Sequence, residues 1–288
     1  MKTVTFTCET ITPMFMYGAD NKTPELRPAS IKGVMRFWWR AINGNLPLDK
    51  LKKQEDEIFG STDRRSKVII YPIEIISESD FEISPTPHHK TGYCNQNNKN
   101  CFYINKQCMK ANKKRAKIYE FNIKISIKNN KYLNKDSLME LFKLSTLLGG
   151  FGQRSRRGFG SIRIKEDDTL ISIEEIKKLI KSINPKFEYN HRNKSKNEQY
   201  PYIKKIQLGR SYSSYNELVK KISTATSGKC GKYLFKDDRL ASPIYVSIVK
   251  FDKNDFRPIV TTLNSVSEKY IKFNEMLKIQ DDFKKAIL

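Results

Sequence analysis

The chain of 288 residues has no long hydrophobic run, and this absence excludes the protein classes that depend on one. No stretch reaches the roughly 18 consecutive apolar residues that a membrane-spanning helix needs. The N-terminal segment 2–10 alternates polar and apolar side chains, which is typical of a strand and not of a secretion signal. We therefore expect a cytoplasmic protein with no membrane partner.

Cysteine and histidine are also scarce, with five and three residues respectively. An odd number of cysteines in a long chain without a secretion signal favours reduced thiols. One group of residues has the chemistry of metal ligands: His88, His89, Cys94, Cys101 and Cys108. Its cysteines are seven residues apart, whereas zinc sites usually pair ligands about two to four residues apart. We expect neither a metal nor a cofactor.

Acidic residues are few in comparison with basic ones. Lys and Arg number 54 against 31 Asp and Glu, which gives a formal charge of +23 and an isoelectric point near 9.7. Such a surplus attracts polyanions and makes their binding sensitive to salt. A lysine-rich genome would raise the lysine count of every protein it encodes, so the positions of the charges must decide whether nucleic acid is the partner.

Periodic apolar residues predict the elements of the first half. They are a strand at 2–10, a helix at 31–43, a charged helical piece at 48–59 outside the core, strands at 67–76 and 118–127, a helix at 135–148 and a strand at 159–164. This order is that of the ferredoxin-like βαββαβ unit, the fold of RRM domains, and predicts an α+β fold. We assign residues 1–166 to a first domain.

The second half repeats part of this order. A connecting helix at 173–183 precedes a strand at 202–208, a helix at 212–224, strands at 244–251 and 258–263, and a helix from 267 to about 285. We interpret residues 167–288 as a second ferredoxin-like copy that is degenerate and lacks its last strand.

An insertion at 83–119 separates two strands of the first domain. It contains eight Lys or Arg and no Asp or Glu, with Tyr93, Phe102 and Tyr103 between them. A basic loop of this length within a compact domain is usually either functional or disordered. RNA contact is the preferred interpretation, because basic loops can follow a phosphate backbone.

The predicted helix 31–43 places its two tryptophans on different faces at about 100° per residue. Trp38 lies on the apolar arc together with Phe37. The opposite arc holds Trp39 together with Lys32, Arg36 and Arg40. Trp39 could therefore stack a base between cations; alternatively, it packs beneath the segment 50–59 or against a partner subunit.

The start of the same helix favours an anion. Ser30 is a suitable N-cap, and the backbone N–H groups at 30–32 would then face a phosphate. Arg27, just upstream, could add a bidentate contact.

A glycine- and arginine-rich turn occupies residues 149–161, which read GGFGQRSRRGFGS. It follows a helix and precedes a strand, whereas P-loops and dinucleotide fingerprints run from strand to helix, so a nucleotide cofactor is not expected. Gly152 would allow close backbone approach to a ligand, and Arg154, Arg156 and Arg157 would supply cations. In the alternative interpretation, Gly149 only ends the helix and the arginines are solvated.

These motifs resemble a known family. The string from Arg27 to Arg40, R-x-x-S-x-K-G-x-x-R-x-W-W-R, followed by the turn at 149–161, resembles the RAMP superfamily. More narrowly, it is similar to the first-numbered Cmr subunits of type III-B CRISPR effector complexes. The segment RLASPI at 239–244 resembles that family's signature in the second half.

The resemblance implies a non-catalytic subunit that caps one end of a filament of RAMP proteins, near the 3′ region of the guide, and helps hold target RNA in antiviral defence. The implied partners are crRNA, target single-stranded RNA and the other RAMP subunits. Together with the motif chemistry, it predicts these RNA-binding residues: Arg27, Ser30, Lys32, Arg36, Trp39, Arg40, Gly152, Arg154, Arg156, Arg157 and Arg239.

Two other functions remain open. Some relatives in the superfamily cleave RNA, and Asp20 lies in the corresponding loop, although no histidine is near it in sequence. Asp20 is also a common type of turn residue. The other alternative is a scaffold subunit that contacts only proteins, with its basic surface matched to acidic partners.

Overall fold

The computed structural model describes residues 1–20, 22–81, 103–104, 107–108, 116–167, 171–189, 202–227, 242–264 and 273–288. The elements of the first half are β1 (Lys2–Thr10), α1 (Pro28–Ile42), α2 (Leu48–Phe59), β2 (Val68–Ile70), β3 (Glu74–Phe81), β4 (Tyr103–Ile104), β5 (Gln107–Cys108), β6 (Ala116–Ile127), α3 (Lys135–Leu148) and β7 (Ile162–Ile164). Those of the second half are α4 (Ile173–Ile183), β8 (Ile203–Leu208), α5 (Tyr215–Ser227), β9 (Ile244–Asp252), β10 (Asp255–Leu263) and α6 (Phe273–Ile287).

The first sheet has the strand order of a ferredoxin-like unit. Its antiparallel order is β2-β6-β1-β7, and β3 also pairs with β6. The predicted strand at 67–76 is therefore two strands, β2 and β3, which together occupy the place of the second strand. Pro72 lies between them and has no backbone N–H for the ladder, which accounts for the break. The predicted α+β, ferredoxin-like fold is confirmed.

The second sheet repeats that order with one strand fewer. Its antiparallel order is β8-β10-β9, with α5 after β8 and α6 after β10. Within the described ranges this is a ferredoxin-like unit without its fourth strand. The boundary between residues 166 and 167 stays a prediction.

The two halves share their hydrophobic cores. One cluster of buried side chains joins α1 and α3 to Tyr245 and Val249 of the second half. The other cluster joins Phe15 and Phe159 of the first half to α5, β9 and β10. Because burial of apolar surface is the main favourable contribution to folding, each half depends on the other for part of its stability.

The helix α2 lies in the core, so its predicted position outside the core is wrong. Leu51, Ile58 and Phe59 are buried, as is Glu55. These residues follow a spacing of i, i+4, i+7 and i+8, which places them on one face of a helix. Most of the charged residues of α2 lie on the other face. The prediction relied on the high charge of the segment as a whole and so overlooked its apolar face.

Most of the insertion predicted at 83–119 lies outside the described residues. The backbone segments β4 and β5 pair with each other, and residues from Ala116 onward belong to β6. In the part of the chain that the structure describes, no helix has the length and apolar character of a bilayer-spanning segment.

The shared cores lead to a prediction for Phe15→Ala. Phe15 is 3 % exposed and contacts Phe159 with ring centroids 5.3 Å apart. Its loss should lower the free energy of unfolding by about 3 kcal/mol. Both tryptophans lie in the other cluster. If the two clusters unfold cooperatively, the urea midpoint measured by tryptophan fluorescence should fall together with the midpoint measured by circular dichroism. An unchanged fluorescence midpoint would show that the clusters unfold independently.

Candidate nucleic-acid interface

The motif on α1 and the glycine- and arginine-rich turn meet at Tyr245 on β9. The Tyr245 ring lies 5.2 Å from the ring of Phe37 and 5.1 Å from that of Trp38, measured between centroids. From the turn, the Arg156 guanidinium lies over the same Tyr245 ring, 4.7 Å from its centroid. We call Phe37, Trp38, Arg40, Arg156, Arg157 and Tyr245 the Tyr245 cluster. The sequence prediction did not include Tyr245.

Cations surround the Tyr245 hydroxyl. Burial raises the pKa of Tyr245, whereas Arg156, Arg40 and Arg157 lower it through their charges, and Arg156 also through a hydrogen bond. Tyr245 is 7 % exposed, so it contributes little accessible surface, whereas Arg40 and Arg156 are partly exposed. A guanidinium over an aromatic face is stabilised electrostatically. Arginines from α1 and from the turn are thereby held in one place.

Trp39 is buried, and its predicted role as an exposed stacking platform is wrong. The side chain is 2 % exposed and contacts Phe59 of α2 edge-on, with ring centroids 6.3 Å apart. The alternative that it packs beneath the segment 50–59 is confirmed. The angular pattern of α1 failed because this helix packs on two sides, against the sheet and against α2, so both tryptophans are covered.

Phe37 has the opposite outcome. The angular pattern placed it on the apolar arc, but it is only partly buried at the edge of the first core cluster. Of the aromatic rings in the Tyr245 cluster, Phe37 is therefore the one that keeps accessible surface. Trp38, by contrast, is 1 % exposed.

Arg36 and Arg40 converge on the buried carboxylate of Glu55. Arg40 Nη1 lies 2.6 Å from Glu55 Oε1, and Arg36 Nε donates to the same oxygen. Arg36 also donates from Nη1 to the carbonyl of Gly60 at 3.2 Å and lies 3.6 Å from Asp56. A carboxylate that is 3 % exposed needs such partners, so both arginines help to hold α2 against α1.

The same pairs relieve repulsion along α1. Lys32, Arg36 and Arg40 follow one another at i, i+4 spacing, where like charges on a helix repel. The single negative charge of Glu55, shared by Arg36 and Arg40, neutralises part of the charge of the second and third members of this row. Lys32, half-buried, makes no ion pair with any described residue.

The start of α1 differs from the prediction. The helix begins at Pro28 with Arg27 as N-cap, so Ser30 lies in the first turn and is not the N-cap. Proline favours the first helical position because its missing N–H needs no partner there. The N–H groups of Ser30 and Ile31 both donate to the carbonyl of Arg27, at 3.0 and 3.2 Å. The predicted phosphate contact through these N–H groups is therefore wrong.

The glycines of the turn serve the chain's own packing. Gly152 has φ of +87°, and a Cβ there would lie 2.4 Å from the carbonyl oxygen of Phe15. At Gly160, φ is +65° and a Cβ would lie 1.9 Å from the carbonyl oxygen of Phe151. The close approach predicted for Gly152 exists, but its partner is the loop after β1 rather than a ligand. The turn accordingly adopts a fixed shape.

Hydrogen bonds attach this turn to β9. The Gly158 N–H donates to the carbonyl of Val246 at 2.8 Å, and the Ile248 N–H donates to Ser161 Oγ at 3.0 Å. Arg157 Nη1 donates to the carbonyl of Ile244 at 2.9 Å. Ile244 ends the RLASPI segment, so the family-like signature of the second half meets that of the first half here.

The three arginines of the turn have different environments. Arg157 is 9 % exposed, and its guanidinium lies over Phe283, 5.1 Å from the ring centroid. Arg154 is half-buried and adopts a left-handed backbone with φ of 62°. Burial lowers the pKa of the Arg154 guanidinium, and the Tyr17 hydroxyl partly offsets this effect. Arg154 and Arg156 thus remain partly accessible, whereas Arg157 acts within the fold. Arg239 lies outside the described residues.

Asp20 stabilises a turn. Its carboxylate accepts hydrogen bonds from the Thr23 hydroxyl at 2.5 Å and from the N–H groups of Lys22 and Thr23 at 2.9 Å. These bonds lower the pKa of Asp20 to about 2. A carboxylate of such low basicity is poorly suited to general-base catalysis at neutral pH.

Candidate metal ligands do not cluster in the described ranges. No group of three or more His, Cys, Asp or Glu side chains within those ranges could hold an ion. Among the sequence-predicted ligands, His88, His89, Cys94 and Cys101 lie outside the described residues, and only the backbone of Cys108 is described, in β5.

Sequence comparison relates this chain to one superfamily of known proteins. The sequence model of the RAMP superfamily matches residues 7–163. The Cmr subunit Cmr1-2 of Pyrococcus furiosus is 33 % identical over 178 residues, which are 56 % of this chain and 94 % of that protein. The superfamily match includes α1 and the turn, since both lie within residues 7–163.

Solved structures share the fold over nearly the whole chain. The crystal structure of apo Cmr1 from Pyrococcus furiosus has a TM-score of 0.60 at 18 % identity, covering 100 % of this chain and 97 % of that one. A chain of the type III-B Cmr-beta complex bound to cognate target RNA has a TM-score of 0.56 at 12 % identity, covering 99 % of both chains. At these identities the likeness shows the fold alone.

The buried ion pairs of α1 and α2 lead to a prediction for Glu55→Ala. This change leaves Arg36 and Arg40 facing each other without their carboxylate and should lower the free energy of unfolding by about 2 kcal/mol or more. Equilibrium urea unfolding measures the loss. The matched control is Glu57→Ala on the same helix, where Glu57 pairs at 3.4 Å with Arg64, whose side chain is 52 % exposed. The control should lose less than about 1 kcal/mol. Equal losses in the two variants would contradict a structural role for Glu55.

Proposed function

The chain belongs to the RAMP superfamily, and from this premise we propose that it is a non-catalytic RNA-binding subunit of a Cmr ribonucleoprotein. The relationship to Cmr1-2 supports membership of a Cmr complex. The likeness to a chain of a complex bound to cognate target RNA supports RNA as a partner. A position at one end of the RAMP filament, near the 3′ region of the guide, follows from the family resemblance of the α1 and turn motifs.

The observation that carries this proposal is the concentration of arginine around Tyr245. Arg40 from α1 and Arg156 from the turn are each partly accessible and lie beside Tyr245. Arg154, two residues earlier in the turn, is also partly accessible, and its guanidinium lies 5.9 Å from the ring centroid of Phe15. Guanidinium groups bind phosphate through paired hydrogen bonds. Lys32 extends the same row by two helical turns from Arg40. An RNA backbone that follows α1 would meet these cations in succession.

The aromatic surface available to a base is Phe37. Its ring is partly exposed, with Tyr245 and Trp38 packed behind it. Stacking of a base on such a ring is worth about 1–3 kcal/mol and tolerates any base, because every base has a π-face. Phosphate contacts likewise carry no base information. We infer that single-stranded RNA is bound here with little sequence preference.

The proposal leads to a prediction for Arg156→Ala. Loss of one phosphate contact should weaken binding of single-stranded RNA several-fold and reduce the slope of log Kd against log salt by about one. Fluorescence anisotropy over a series of KCl concentrations measures both quantities. The control is Lys253→Ala, an exposed cation at the hairpin between β9 and β10, about 25 Å along the strand from Tyr245. The proposal fails if Arg156→Ala leaves the affinity and slope unchanged, or if the control lowers them equally.

A scaffold function is the second candidate, and the ion pairs that α1 makes with α2 favour it. Arg36 and Arg40 are partly neutralised by Glu55, and Trp39 is buried, so several motif residues act inside the protein. If the chain contacted only proteins, Arg156→Ala would reduce assembly of the complex without changing the affinity for RNA.

We also propose that this chain does not cleave RNA, and a substitution of Asp20 tests this. Its hydrogen bonds within the turn and its low pKa support a structural role. Asp20→Asn keeps the size of the side chain and should leave target RNA cleavage by the purified, assembled complex at the wild-type rate. Complete loss of cleavage with intact assembly would make this chain a nuclease and contradict the proposal.

A further inference from the structure

The strand β3 forms an open edge of the first sheet. It pairs with β6 over Ala116–Asn122 and with no other strand among the described residues. No backbone hydrogen bond within those residues joins its outer side to another segment. An edge of this length exposes a row of backbone donors and acceptors that another extended chain can use.

Two adjacent isoleucines are exposed on this edge. Ile75 and Ile76 are 45 % and 50 % exposed, and apart from Met1 they are the most exposed large hydrophobic residues in the described part of the chain. The ladder with β6 shifts register between Ile75 and Ser77, so Ile76 is the extra residue of a β-bulge. A bulge changes the direction of side chains, and here both isoleucines remain accessible. Exposed apolar surface on an open edge is typical of a protein contact.

The charge of β3 is opposite to that of the chain. The strand carries Glu74, Glu78 and Asp80 and no Lys or Arg, in a protein with a formal charge of +23. Lys117 of β6 contacts both Glu78 and Asp80 at 3.0 Å, which neutralises only part of this charge. Phosphate is repelled by carboxylates, so RNA is disfavoured at this edge.

We propose that the β3 edge binds an extended segment of a neighbouring protein subunit that carries lysine or arginine and adds to the sheet as a further strand. This inference rests on the proposed function, because subunits that share an RNA are themselves expected to be basic. A second copy of this chain is disfavoured. Two-fold pairing of β3 with itself would bring Glu78 and Asp80 of both copies together.

The test uses the full chain and the remaining subunits of the same Cmr complex, purified on their guide RNA through an affinity tag. One variant is Ile75→Thr with Ile76→Thr, which removes apolar surface but keeps β-branched side chains suited to a strand. The other is Glu78→Lys with Asp80→Lys. The matched control, Asp49→Lys with Glu174→Lys, makes the same change in net charge at exposed residues elsewhere.

Both β3 variants should be retained by the complex at least tenfold more weakly than wild type, while the control is retained normally. The isoleucine variant should match the wild type in melting temperature and in the affinity of the isolated chain for single-stranded RNA. The charge-reversal variant, which adds four positive charges, should match its charge-matched control in that affinity. Normal retention of both variants would overturn the edge proposal alone. Failure of the wild-type chain to assemble would overturn the proposed function as well.

Two further outcomes would identify a different occupant and so overturn the proposal. If the isoleucine variant loses affinity for RNA as an isolated chain, the edge binds RNA. If light scattering shows a wild-type dimer that the isoleucine variant converts to a monomer, the occupant is a second copy of this chain.

Discussion

The packing of Tyr245 between α1 and the glycine- and arginine-rich turn is the contact on which the proposed interface depends. Like charges from distant parts of the chain repel one another unless something holds them together. Here the Tyr245 ring supports Arg156, and the buried carboxylate of Glu55 supports Arg36 and Arg40. Because Tyr245 belongs to β9, the accessible cations are positioned only when both halves are folded together.

Periodicity and element order predicted most of the fold, because the first sheet and its helices repeat apolar residues at regular spacing. The failures lie where a helix packs on two sides. Trp39 faces away from the sheet, as its angle indicates, but α2 covers that face through Phe59. No local pattern could show this, since it depends on how two helices pack.

The candidate site was predicted in part. Both motifs were predicted from the sequence, and the structure brings them together, since a Cβ on Gly149 would lie 2.6 Å from Trp38 Nε1. The glycines were assigned to a ligand, whereas they allow contacts with Phe15 and Phe151. Tyr245 was missed because it lies just outside the RLASPI segment and contacts α1 only through tertiary packing, which no local sequence pattern shows. The resulting molecule has opposite charges on two surfaces: arginines at the Tyr245 cluster, and carboxylates along β3.

The most direct measurement is photo-crosslinking of the assembled complex with RNA that carries 4-thiouridine in either the guide or the target strand, followed by mass spectrometry of the linked peptides. The account predicts crosslinks on the peptides that contain Phe37 and Arg40 or Arg154 and Arg156. Crosslinks confined to β3, or the absence of any on those peptides while other subunits are labelled, would contradict RNA binding at the Tyr245 cluster.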